Sequence, residues 1–499
     1  MRIRKSVTVL AACAGLAMVA GCSGNEVESG AGAPKAAGGA RSDAAPPGTA
    51  TPGTAAPEEA PPVDARQTPK STFALDVDTA SYSYARQRIR AGTLPAAATV
   101  RPEEFVNAFR QDYPEPSGSG FTVTADGARL PGGNTRLLRV GLRTRGEDAT
   151  TRRDAALTFA IDTSGSMADE GKLDLVKDAL HTLVRQLRPT DTVAIVAYAD
   201  EPRVLRSATP ARDRGALDAA IDDLSANGST DLGSGVETAY RVARDGYRRG
   251  ATNRVVLLSD GLANQGDTDS RTILRKVSDN AGDGVTLLCV GVGGDYGDAL
   301  MEQLADHGHG MAVYVGDRAE ARRVFTAELP ANLDVRARTA KAQVTFDPKQ
   351  VRRYRLVGFD DRRLAADDFR DDSVDGGWVG PGHSVTALYE VTLAPGASGR
   401  VAEARVRWQD PASGRASESA RTVSVSDVDG ALADAAPRLR ADQAVAAFAE
   451  WLRNGRYAEG VQPDALASAV DAAARSTEDS QLRELARLIR TAATLRPVR

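Results

Sequence analysis

The chain has 499 residues, more than one hydrophobic core ordinarily holds, so two to four folded domains are expected. Its 63 Lys and Arg stand against 67 Asp and Glu, a formal charge of −4, and no basic block interleaved with aromatics occurs. That balance argues against nucleic acid as a ligand.

Residues 1–22 read as an export signal. A positive start, "MRIRK", precedes an apolar run too short to span a bilayer comfortably, which ends in "VAGC". This ending resembles the bacterial lipobox, implying that Cys22 is acylated and anchors the chain at the extracytoplasmic face of the cell membrane. Of the other cysteines, Cys13 leaves with the signal, and Cys289 in "VTLLCVGVG" reads as a small inert thiol in a buried strand. No disulfide framework remains. Residues 23–70, rich in Ala, Pro and Gly, have little to bury and read as a disordered tether.

Residues 71–150 read as an N-terminal flanking region of helices plus a β-hairpin: a strand and a helix from Ser71, a helix after Pro102, then "FTVTADGARL" and "TRLLRVGLRT". From residue 155 to 329 apolar strands alternate with amphipathic helices, the pattern of an α/β, doubly wound parallel sheet covered on both faces. Its ligand site is expected outside the carboxyl ends of the strands. Residues 330–430 alternate with period two and read as an antiparallel β-module. Residues 431–499 read as a helical region, with "LRADQAVAAFAEWLRN" and "QLRELARLIRTAATL" carrying the clearest apolar faces. Strands before the α/β unit are candidates to pair with strands after it, which would make that unit an insertion into one β-sandwich.

The chemistry concentrates at "LTFAIDTSGSM". An apolar strand ends at Asp162, and Ser164 and Ser166 follow at every second position, so the three side chains can converge on one point. Thr230 in "ANGSTDLGSGV" and Asp260 in "VVLLSDG" fall at the same predicted edge. Two carboxylates and three hydroxyls are hard oxygen donors, suited to Mg²⁺ or Mn²⁺. The bland alternative is a helix N-cap with ordinary turn residues. Lys172 and Asp174 are expected in the first turn of the following helix, and Asp200 and Asp231 as solvated loop residues.

This constellation on alternating β/α units resembles the von Willebrand factor type A domain with its metal-ion-dependent adhesion site. The flanks "STFALDVDTASYSYARQRI" and "VRRYRLVGFDDRRLAADDFRDD" are similar to those of bacterial lipoproteins carrying that domain. The resemblance implies a Mg²⁺ site built from Asp162, Ser164, Ser166, Thr230 and Asp260, some reaching the ion through water. It also implies a protein partner that presents an Asp or Glu, and no enzymatic activity. Two other readings stand beside it. In one the site is satisfied from within and locks a scaffold together. In the other "LDVDT" is similar to the first motif of haloacid dehalogenase phosphotransferases, with Asp76 as nucleophile and Asp78 as acid/base. The required lysine and acidic pair are missing, so solvated or capping carboxylates are expected there. "DDSVDGGWVGPG" has Asp371, Ser373, Asp375 and Gly376 at calcium-loop positions but Gly382 where a glutamate belongs, and His307 with His309 reads as a turn.

Overall fold

Each apolar run between Ala155 and Val315 becomes a strand, and each amphipathic stretch between them a helix, so the period of the sequence decides the layers. The computed structural model describes residues 59–75, 78–118, 120–131, 133–146, 152–261, 270–293, 298–329 and 335–496. The signal, Cys22, most of the tether and Asp76 lie outside the described residues.

The N-terminal flank supplies β1 (Val63–Asp64), β2 (Lys70–Ala74), α1 (Ala80–Arg90), α2 (Pro102–Asn107), β3 (Phe121–Arg129) and β4 (Thr135–Thr144). The α/β domain then runs β5 (Ala155–Asp162), α3 (Lys172–Gln186), β6 (Thr192–Tyr198), β7 (Pro202–Pro210), α4 (Arg214–Asp222) and α5 (Leu232–Asp245). It continues with β8 (Thr252–Ser259), α6 (Ser270–Gly282), β9 (Val285–Val292), α7 (Asp298–His307), β10 (Met311–Val315) and α8 (Arg318–Arg323).

Strand order in this domain is β10-β9-β8-β5-β6-β7. The first five are mutually parallel, and β7 lies antiparallel on β6. The sheet is therefore mixed rather than purely parallel. The sequence hid β7 because "PRVLRSATP" is an exposed or half-exposed edge strand with few apolar residues. Successive residues of β5 serve opposite faces: Leu157, Phe159 and Ile161 pack with Val176, Leu180 and Leu183 of α3, whereas Ala160 packs with α5 and α6. Each buried Leu, Ile or Phe is worth about 2 kcal/mol, so α3 is held by its apolar stripe rather than by caps. The chain leaves β5 toward β6 on one side and later adds β8 on the other. The crevice between the ends of β5 and β8 is thus the switch point at which α/β sheets hold ligands.

After the α/β domain come β11 (Arg338–Phe346), β12 (Val351–Leu356), β13 (Arg363–Leu364), β14 (Ser384–Leu393), β15 (Arg400–Gln409) and β16 (Ala416–Ser424). They join the early strands in two five-stranded sheets, ordered β1-β12-β14-β4-β3 and β13-β2-β11-β15-β16. Phe73 of β2 pairs with Ala342 of β11, and Val140 of β4 with Ala387 of β14, both antiparallel. Phe73, Val140, Phe346 and Tyr389 share the core between the sheets. The α/β domain is thus inserted between the halves of one β-sandwich.

Helices α9 (Pro437–Arg453), α10 (Pro463–Thr477) and α11 (Ser480–Leu495) close the chain. With α1 and α2 they cover the outer face of one sheet, over Leu137, Val357 and Leu388. The alanine-rich α10 lay between the two helical stretches that the sequence made clearest.

Candidate metal centre

Asp162 is the last residue of β5 and fully buried. Its Oδ1 accepts from the Ser164 backbone N–H at 2.9 Å, and its Oδ2 from the Ser259 hydroxyl at 2.7 Å. Burial holds its carboxyl above the usual range despite these hydrogen bonds, and negative Asp260 adds to the push. Ser164 stands at the N-cap of a short 3₁₀ segment, Gly165–Gly171, yet makes no side-chain cap bond. Its hydroxyl instead lies 3.2 Å from that of Ser166, which donates to Asp260 Oδ1 at 3.0 Å. Ordinary capping does not account for this arrangement.

The second loop is sewn to the first through backbone. Gly165 N–H donates to Gly228 O at 3.0 Å, and Asn227 N–H to Thr163 O at 2.7 Å. These bonds bring buried Thr230 to the same edge. Gly228 has φ of +73°, and a Cβ there would come 2.4 Å from an Asp200 carboxylate oxygen, so glycine is required twice over. Asp200 is not merely solvated, since it accepts from Ser229 N–H at 2.8 Å. Asp231 accepts from the backbone N–H of Ser234 at 2.9 Å and caps α5.

Lys172 departs from expectation. It opens α3 as predicted, but its side chain is 9% exposed and its ammonium donates to Asp260 Oδ2 at 2.8 Å. Residue type and helical position gave no hint of this, because a lysine in a first turn ordinarily points to solvent.

The donor set fits a hard divalent cation. Asp162 is a buried carboxylate held by neutral donors alone, and among the described residues no Lys or Arg pairs with it. Burial of such a charge is costly until a cation arrives.

A second acidic group lies elsewhere. Oxygens of Asp78, Glu104 and Glu302 come within 4.8 Å of one another. Asp78 was expected to be solvated or capping, but it is 1% exposed. It accepts from Ala312 N–H at 2.8 Å and pairs with Arg362 at 3.1 Å. Glu104 accepts from Ser81 N–H at 2.9 Å, while Glu302 pairs with Arg101 and, at 3.4 Å, with Arg362. Burial and the neighbouring carboxylates push Glu302 up to about 9 and Glu104 up to about 7, against the pull of the two arginines. Two guanidinium groups already occupy this cluster. It joins the N-terminal flank, α7 and the segment after β12, with Asp78 held between the Ala312 N–H and Arg362.

Elsewhere, Asp371 and Asp375 spend their oxygens on the backbone of Ser373, Gly376 and Gly377. His307 bonds Gln303 O at 2.9 Å; His309 stacks on Trp378 and meets Asp375 at 2.6 Å. Cys289 is buried in β9, which raises its thiol pKa.

Three family models match in succession: von Willebrand factor over residues 54–139, von Willebrand factor type A domain over 156–327, and the C-terminal region of the uncharacterized protein YfbK over 331–495. Uncharacterized protein YfbK of Escherichia coli (strain K12) is 37% identical over 337 residues, 66% of this chain and 59% of that protein. Inter-alpha-trypsin inhibitor heavy chain H4 of Homo sapiens is 27% identical over 164 residues, 31% of this chain and 18% of that one. The chain thus spans less than two thirds of the length of these relatives. Among solved structures, a von Willebrand factor type A protein from Catenulispora acidiphila superposes with a TM-score of 0.48 at 19% identity, covering 75% of this chain and 91% of that one.

Proposed function

We propose that this chain, built around a von Willebrand factor type A domain and similar to YfbK, binds a protein partner through a divalent cation at the end of β5. Such domains are often protein-interaction modules. Asp162, Ser164, Ser166, Thr230 and Asp260 would hold Mg²⁺ or Mn²⁺. The bound ion would supply positive charge for a carboxylate, an Asp or Glu, of the partner. The residues themselves hold two buried charges and three hydroxyls in place before any ligand arrives, so little ordering is spent on binding.

The observation that carries this reading is the fully buried Asp162 carboxylate, bonded only by neutral groups and close enough to a second carboxylate, Asp260, to feel its charge. Exposed Asp200 stands against the second loop, accepting from Ser229 N–H, so the partner's ligand carboxylate is expected on a surface otherwise neutral or basic. Among the described residues, the bonds to Asp162, Ser166 and Asp260 all come from the α/β domain itself, which gives a lock from the β-module no support. Acylation at Cys22 would hold this binding protein, rather than enzyme, on the extracytoplasmic face of the membrane.

The test is Mg²⁺ titration by calorimetry, with capture of partners from envelope extract in Mg²⁺ and in EDTA. The parent is expected to bind Mg²⁺ and to capture protein only in its presence, and Asp162→Ala to lose both. Equal metal and partner binding by the two proteins refutes the proposal.

A further inference from the structure

A lysine amid the donors of a cation site works against the cation. Three features nonetheless place one there. Lys172 is buried with its ammonium 2.8 Å from Asp260 Oδ2. The carboxylate is divided, since its other oxygen takes the Ser166 hydroxyl at 3.0 Å. Gly293, just past β9 with φ of +85°, omits a side chain where the lysine stem passes: a Cβ there would come 2.5 Å from Lys172 Cε. A solvated helix-start lysine needs none of this accommodation.

We infer that Lys172 is a positioning residue that sets the charge of the site, weakening cation binding and strengthening the demand for an outside anion. This rests on the metal-site reading above. Asp162 and Asp260 alone place two negative charges at the end of the sheet, enough to neutralise a divalent ion. Lys172 cancels one of them, so site and ion together keep one net positive charge for a partner's carboxylate. It also fixes Asp260 Oδ2 away from the serines, leaving Oδ1 as the oxygen turned toward Ser166 and Ser164. Without a partner carboxylate the ion is held loosely, and with one it is held firmly. Metal and partner thus bind with positive coupling.

Lys172→Met keeps the stem and removes the charge, and Lys172→Arg keeps the charge. Calorimetry with Mg²⁺, melting in EDTA and in saturating Mg²⁺, and acetate titration of the Mg²⁺-saturated proteins are compared with the parent and Asp162→Ala. Lys172→Met is expected to bind Mg²⁺ at least about tenfold more tightly, since even at the dielectric of water a unit charge about 5 Å from a divalent ion changes its affinity by about that factor, and a protein-like dielectric enlarges it. It is expected to melt below the parent in EDTA, with the gap closing in Mg²⁺, and to bind acetate more weakly; Lys172→Arg stays near the parent. Unchanged or weaker Mg²⁺ binding by Lys172→Met, with the same melting gap in both buffers, overturns the inference but leaves the metal site standing. A parent that binds no more Mg²⁺ than Asp162→Ala overturns both.

Discussion

Arg362→Met tests the buried ion cluster that joins the α/β domain to its flanks. The guanidinium is 5% exposed and touches Asp78 at 3.1 Å, Glu302 at 3.4 Å and Asp306 at 3.6 Å. Among the described residues no other cation touches Asp78, so the substitution strands a buried carboxylate instead of deleting a pair. Breaking a buried pair from one side costs about 3–5 kcal/mol. With a urea dependence of about 3 kcal/mol per molar, the unfolding midpoint falls by about 1 M or more. The assay is urea unfolding at neutral pH, followed by tryptophan fluorescence and by circular dichroism to separate local from global loss. Adding Asp78→Asn removes the stranded charge, so the double variant should recover part of the loss. A midpoint within about 0.2 M of the parent, or a double variant as poor as the sum of the singles, refutes the reasoning.

Three further outcomes are expected. Glu302 and Glu104 have raised pKa values in the fold, so between the ordinary carboxylate range and about 7 to 9 the folded chain binds more protons than the unfolded one. Stability therefore falls as pH rises through that window, and thermal melts of Glu302→Gln should show a flatter decline than the parent's. Thr230→Val, which keeps the shape of a buried residue and removes its hydroxyl, should weaken Mg²⁺ binding by about tenfold or more in calorimetry. In EDTA the same variant should lose no more than about 1 kcal/mol, the worth of a single hydrogen bond, and a larger loss there would make Thr230 structural instead.

Much of the fold was legible because period and composition agree with burial. The runs ending at Asp162 and Ser259 are continuous and apolar, and they became the central parallel strands. The five oxygen-bearing residues were legible for the same reason: strand ends in an α/β sheet share an edge, so residues distant in sequence fall together. What stayed hidden depends on long-range partners. Asp78 reads as a loop carboxylate until Arg362, 284 positions away, closes on it. Lys172 reads as a helix start until Asp260, 88 positions on, takes its ammonium. The strand Pro202–Pro210 carries no apolar alternation because neither of its faces is fully buried at the edge of the sheet.

The split sandwich also sets a load path. β1 and β2 are zipped antiparallel to β12 and β11, strands that the chain reaches only after completing the inserted domain. A pull on the N-terminal side would load that zipper before it reached the inserted domain. The ladder between β2 and β11 is thus the seam that closes the sandwich around the insertion, and opening it would free the N-terminal side while leaving the α/β sheet intact.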